Sequence, residues 1–244
     1  MVCFSILNKS EITLDSLKAG SLLLIDKPLK WTSFDVVNYV RKSIDVKIGH
    51  AGTLDPLATG LLILCTGKMT KEIDNYQGMD KEYAGTINIG QTTPSFDLET
   101  EITESKDISD ISDNDIINTA LEMIGAQTQI APSYSAIKIN GERAYHKARR
   151  GESIEIKARD IEIKEFEITS IVREVESIKV NFRVLCSKGT YIRAIARDFG
   201  LKLNNLAYLS NLVRTKIGHF SLVDALTLND FKVLFPVPFK FNQT

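Results

Sequence analysis

Five apolar residues in a row, Leu61-Leu62-Ile63-Leu64-Cys65, stand between Gly60 and Gly67. The run is too short for a typical helix and shows no polar alternation, so it predicts a buried strand. Ser21-Leu22-Leu23-Leu24-Ile25-Asp26 is a second short apolar run, ended by Lys27-Pro28, where the proline keeps the residue before it out of helical geometry. Buried strands need a core to lie in. A chain of 244 residues with 43% hydrophobic and 25% charged side chains is long enough to build one.

The periodicity elsewhere is mixed. Thr32 and Asp35 form a capping-box start for a helix with Phe34, Val37 and Val40 on one face. Tyr83 to Ile89 reads as a strand. Ser112 and Asp115 cap a helix carrying Ile116, Ile117, Ala120, Leu121 and Ile124, ended by Gly125. Ile161, Ile163, Phe166 and Ile168 mostly alternate, and Val180, Phe182 and Val184 do so strictly, as half-buried strands require. Ile192, Ile195, Ala196 and Phe199 share one face of a helix that stops around Gly200. No repeat or flexible linker interrupts this order. It predicts a single α+β domain over residues 1–244, with a small insertion around residues 125–155 and a tail, Phe235-Pro236-Val237-Pro238, soon after the last helix-like stretch.

No run of eighteen apolar residues exists, and Met1 to Ser10 lacks the layout of a secretory signal, so the expectation is a cytoplasmic protein without a membrane partner. Cys3, Cys65 and Cys186 are far apart and never in a CxxC pair; incidental or buried thiols are expected, not a disulfide framework. His50, His146 and His219 are equally isolated, which argues against a metal site.

Net charge is −1, at first sight a poor match to a polyanion. The average hides a segregation. Residues 97–115 carry eight acids against Lys106 alone, a net of −7, so the rest of the chain is at +6. This acidic stretch is expected to be a surface connection. Residues 138–150 hold Lys138, Arg143, Lys147, Arg149 and Arg150 against Glu142, with Tyr145 among them. A charge run is usually a solvated face, whereas an aromatic among cations leans toward RNA.

Between Gly49 and Gly60 lies Gly-His-Ala-Gly-Thr-Leu-Asp-Pro-Leu-Ala-Thr-Gly. Asp55 precedes Pro56 and is held extended, while the glycines allow tight turning on either side. Such a loop can present one carboxylate rigidly, though taken alone an aspartate in a glycine loop is more often a turn former. Gly60 to Lys68 is not a phosphate loop, because that motif needs glycine at 62 and Ser or Thr at 69, which are Leu62 and Met69.

Several segments together resemble the TruB-type pseudouridine synthases, in that family's order. They are Leu22 to Ser33 with its Lys-Pro and Thr-Ser, Gly49 to Pro56, Lys81-Glu82-Tyr83, Tyr134-Ser135-Ala136-Ile137-Lys138 with Gly141, Ala144-Tyr145 and Ala148-Arg149, then Ser187 to Arg193, and Leu209 to Phe220. The resemblance spans roughly residues 20–230. It implies the pseudouridine synthase fold, a mixed, mainly antiparallel sheet flanked by helices and loops with a central active-site cleft. The implied reaction isomerises uridine 55 in the T-loop of tRNA to pseudouridine, without cofactor, by flipping the base and exchanging its C1′–N1 bond for C1′–C5.

Carried over by position, the resemblance makes Asp55 the nucleophile and Arg193 its ion-pair partner. Tyr83 would stack on the extruded uracil, Tyr191 would lie against the base, and Leu212 would pack on it. Lys27 and Pro28 would support the loop. His50 would help hold or displace RNA, and the basic residues Lys138, Arg143, Lys147, Arg149 and Arg150 would contact the T-arm. Whether Asp55 attacks C1′, attacks uracil C6 or takes a sugar proton stays open, since each needs the same carboxylate. Single-chain action is expected, and the C-terminal PUA-type domain of many bacterial members is not. The chain departs from the family pattern at Val213-Arg214, where two arginines are frequent, and at Ala131-Pro132, where Pro-Pro is frequent. A non-catalytic tRNA-binding or folding factor on the same fold is the rival from another class; retention of Asp55, Tyr83, Tyr191 and Arg193 together disfavours it.

Overall fold

The computed structural model describes residues 12–139 and 141–236, so Cys3, the opening ten residues and Val237-Pro238 lie outside the described residues. The first elements are α1 (Leu14–Ala19), β1 (Leu22–Lys27), α2 (Ser33–Ile44), β2 (Ile48–His50), β3 (Thr59–Thr66) and, after a 3-10 turn, α3 (Ile73–Gly78). β4 (Lys81–Ile89), β5 (Gln91–Thr92), β6 (Glu104–Ser105), α4 (Asp113–Glu122), β7 (Gly125–Gln129), β8 (Lys138–Ile139), β9 (Glu142–Arg143) and α5 (Ala144–Arg149) follow. The chain closes with β10 (Arg159–Arg173), β11 (Ile178–Cys186), α6 (Ile192–Lys202), β12 (Ala207–Ile217), β13 (Phe220–Ser221) and α7 (Leu228–Leu234). Two compact units result, one made of the residues up to Lys81 and from Val213 onward, the other of Glu82–Leu212.

In the first unit the two continuous apolar runs are neighbours. β1 pairs antiparallel with β3, Leu23 opposite Leu64 and Ile25 opposite Leu62, and Val213 and Arg214 of β12 run parallel to Thr59 and Gly60. The runs lack polar alternation because both faces are covered. Leu23, Ile25, Leu62 and Leu64 pack with Val36, Val37, Val40 and Ile44 of α2, while Leu22, Leu24, Leu61, Ile63 and Cys65 pack with Met69, Ile217 and Phe220. Each such leucine or isoleucine contributes about 1.5–3 kcal/mol relative to exposure. The capping box of Thr32 and Asp35 starts α2 as expected. Phe34 does not share the buried face: it stands 60% exposed, and Val36 takes the inward position instead.

The second unit is a sheet of β4, β11, β10 and β7 with the first half of β12 beside β4. β11 alternates strictly between buried and half-buried residues, with Val180, Phe182 and Val184 inward. Phe166 and Phe182 meet edge-on and Phe199 of α6 packs on Phe166. Three expectations change here. Ile117, Leu121 and Ile124 are exposed, because α4 buries only the stripe of Ile116, Thr119 and Ala120. The helix α6 continues past Gly200 to Lys202, and that glycine serves close packing, since a Cβ on it would stand 2.7 Å from the Ala207 nitrogen. Residues 125–129, placed in the insertion by sequence, form β7 and pair antiparallel with β10.

Candidate functional site

Asp55 sits in the loop between β2 and β3, and this loop is held by its backbone at almost every step. The Ala58 amide donates to the Asp55 carbonyl at 3.1 Å, closing a turn around the aspartate, and the Ala51 amide donates to Ile63. Ser33, the residue after the α2 cap, accepts from the Leu54 amide at 2.9 Å. The Lys30 amide donates to the Pro56 carbonyl at 2.8 Å.

Two buried cations complete the grip. The Lys27 ammonium, at the end of β1, donates to the carbonyls of Trp31 at 2.6 Å and Pro28 at 3.0 Å, and reaches that of Pro56 at 3.5 Å. Arg214 on β12 donates through Nε to Leu61 at 2.8 Å, through one Nη to Gly52 at 3.1 Å and through the other to Thr53 at 3.4 Å. Burial pulls the Lys27 pKa down to about 8; the negative charge of Asp55 opposes that fall and the positive charge of Arg214 adds to it. His50, in β2, is lowered as well, by burial first and then by Arg214, against a hydrogen bond with the Gly52 backbone. Its imidazole is therefore neutral at neutral pH.

In the second unit Arg193 lies in the first turn of α6. Its guanidinium donates to the carbonyls of Ser95 at 3.1 Å and Tyr134 at 2.9 Å, and its Nε lies 3.5 Å from the Asp97 carboxylate. Asp97 was expected on a surface connection. It is instead buried, in a turn that Thr93 closes by donating to the Asp97 carbonyl, with Phe96 at a positive φ of 57°. Tyr191 caps α6 from the N-terminal side, and Gln129 fixes it with two bonds, accepting from its amide at 2.8 Å and donating to its carbonyl at 3.2 Å. The Arg159 guanidinium lies 5.1 Å from the centre of the Tyr191 ring. Tyr83 is buried on β4 and Leu212 on β12.

The basic insertion is not a free cationic surface. Arg149 pairs with Glu99 at 2.6 Å and leans over the Tyr145 ring, and Arg150 is forked onto Glu142 and paired with Glu152. Lys138 and Arg143 are exposed and Lys147 half-exposed. Cys65 and Cys186 are buried, and burial pushes the Cys65 thiol up to about 12, leaving it unreactive. Among the described residues no three His, Cys, Asp or Glu side chains gather as metal ligands, and no helix is long and apolar enough to cross a membrane.

The family model described as TruB family pseudouridylate synthase (N terminal domain) matches residues 40–192. The tRNA pseudouridine synthase B of Flavobacterium johnsoniae is 50% identical over 87% of this chain and 95% of its own. The chain belongs to the TruB family. A second relative, the tRNA pseudouridine synthase B of Phocaeicola vulgatus, is 48% identical over 88% of this chain and 92% of its own. Among solved structures, the Cbf5-Nop10-Gar1 complex matches this TruB-family chain with a TM-score of 0.66 at 27% identity, over 91% of this chain. The chain spans about half the length of that solved relative, 56%.

Sequence reading missed four residues that hold the candidate side chains of this TruB-family protein, Ser33 and Arg214 in the first unit and Asp97 and Gln129 in the second. Ser33 was seen only as part of a motif, and Arg214 only as a departure from the family pattern. Asp97 was hidden among eight acids. Gln129 gave no signal, because a polar residue in a Gln-Thr-Gln strand looks like any solvent-facing position.

Proposed function

We propose that this protein is a tRNA pseudouridine synthase that isomerises uridine 55 in the T-loop, with Asp55 as its nucleophile. The observation that carries the reading is the backbone grip on the Asp55 loop within a TruB-family chain: Lys27, Lys30, Ser33 and Arg214 all spend bonds on the eleven residues from Ala51 to Leu61. A turn former needs no such investment; a carboxylate that must meet a glycosidic bond in one orientation does. In the reaction C1′–N1 breaks and C1′–C5 forms, N1 gains a proton and C5 loses one. Atoms balance without a cofactor.

Arg193, Tyr83, Tyr191 and Leu212 are the supporting residues, as the family resemblance implies. A rigid aromatic regains the stacking that a flipped uracil loses. His50 and the insertion that follows β7, up to about residue 155, with Lys138, Arg143, Lys147, Arg149 and Arg150, contact the T-arm. The protein acts as a single chain in the cytoplasm. The test is chemical mapping of pseudouridine in an unmodified tRNA transcript and in its isolated T-arm. Modification at position 55 in both is expected; modification elsewhere contradicts the assigned target, and none in the isolated arm contradicts T-arm recognition.

A further inference from the structure

We infer that Arg214 is a positioning residue for the reaction, a staple that ties the two ends of the Asp55 loop together and so fixes where its carboxylate points. The inference rests on Asp55 being the reacting group.

The geometry is specific to a guanidinium. The acceptors are backbone carbonyls on both limbs of the loop, Gly52 and Thr53 before Asp55 and Leu61 after it. One planar group with donors on three nitrogens spans them; an ammonium offers its donors from a single point. Arg214 is 1% exposed, and a cation is costly to bury, so a purely space-filling role would be served better by an apolar side chain. The chain is shaped to admit it. Gly60, at φ 102°, lies opposite Arg214 in the parallel register, and a Cβ there would stand 2.8 Å from the Arg214 nitrogen and closer still to its carbonyl oxygen. Gly52, at φ 103°, faces the guanidinium itself, a Cβ being 3.7 Å from an Nη. Both glycines flank the aspartate at the points where Arg214 approaches.

At the apex of the turn, Lys27 and the Lys30 amide hold Pro56 and Ser33 holds Leu54. Arg214 is the one of these anchors that reaches residues on both sides of Asp55. Removing it frees the ends of the loop while leaving the apex tethered. The expected consequence is a misplaced carboxylate rather than lost RNA contact, and a displacement of about 1 Å costs on the order of 100-fold in rate.

The test uses the full chain as wild type, Arg214→Met, Arg214→Lys and Asp55→Asn, with an unmodified tRNA transcript carrying tritium at uracil C5. Single-turnover tritium release reports chemistry, filter binding reports the tRNA Kd, and circular dichroism reports folding. Arg214→Met is expected to slow release about 100-fold with Kd within threefold of wild type, and Arg214→Lys to recover part of the rate. Wild-type release by a folded Arg214→Met overturns the proposal, as does a loss confined to Kd. If Arg214→Met does not fold, Arg214→Lys decides: slowed release supports the staple, wild-type release overturns it, and failure of both to fold assigns Arg214 to the core and overturns it too. Activity in Asp55→Asn defeats the reading of Asp55 itself, whereas an inactive Asp55→Asn beside an unaffected Arg214→Met defeats only the staple.

Discussion

The Nε of Arg193 lies 3.5 Å from the Asp97 carboxylate, and both side chains are more than nine-tenths buried. A buried ion pair adds little net stability, because desolvating two charges offsets their attraction, but removing one partner is costly. Asp97→Ala is therefore expected to lower the unfolding free energy by about 3 kcal/mol, measured by urea denaturation. An unchanged midpoint and slope would show that Asp97 does not balance the guanidinium.

Lys27 gives the protein a pH dependence of opposite sign in stability and in activity. Its pKa is near 8 in the folded chain, against about 10.4 in an unfolded one. Between those values the unfolded chain holds a proton that the folded chain has lost, so stability rises with pH across that window. The charge facing Asp55 and the loop carbonyls vanishes over the same step. Single-turnover rates are expected to fall on an alkaline limb near pH 8 while thermal stability gains from this group; a limb that persists unchanged in Lys27→Met assigns it to another group.

Gly60→Ala places a Cβ against the Arg214 backbone at a positive φ. The expected cost is about 2 kcal/mol of stability, with activity falling further than in an equally destabilised core variant such as Leu62→Ala. Equal activity losses at equal stability would mean that the contact serves folding alone.

Arg149 and Arg150 are already paired with Glu99, Glu142 and Glu152. RNA phosphates must displace these carboxylates, and exposed pairs of this kind are worth only about 0.2–1 kcal/mol. Glu99→Gln is thus expected to tighten tRNA binding a few-fold at low salt, and replacing Arg149 and Arg150 with Gln to flatten the salt dependence by about one unit of slope or more. A salt slope indifferent to all three changes would remove the insertion from the RNA interface.

What could be read in advance follows from how local the signal is. The strands at residues 22–27 and 59–66, the cap at Thr32 and the alternation of Val180, Phe182 and Val184 are written in consecutive side chains and appear where expected. Phe34 and Leu121 fit a helical stripe yet face outward, because the buried arc of each helix depends on the partner it meets, which periodicity does not contain. The Asp55 loop was legible as a motif and Lys27 as a support for it; the anchoring by Ser33 and Arg214 was not. Arg214 lies far from Gly52 in sequence and bonds backbone carbonyls, which carry no residue identity to match. Asp97 shows the converse: a surface-like composition concealed a buried acid, since the turn at Phe96 folds one member of an acidic stretch inward.

The central claim is that the Asp55 carboxylate carries out the isomerisation. Wild type and Asp55→Asn, shown by circular dichroism to be equally folded, are incubated with an unmodified tRNA transcript, and pseudouridine at position 55 is mapped chemically. The account predicts complete conversion by wild type and none above background by Asp55→Asn; appreciable pseudouridine from the Asn variant, or none from wild type, contradicts it.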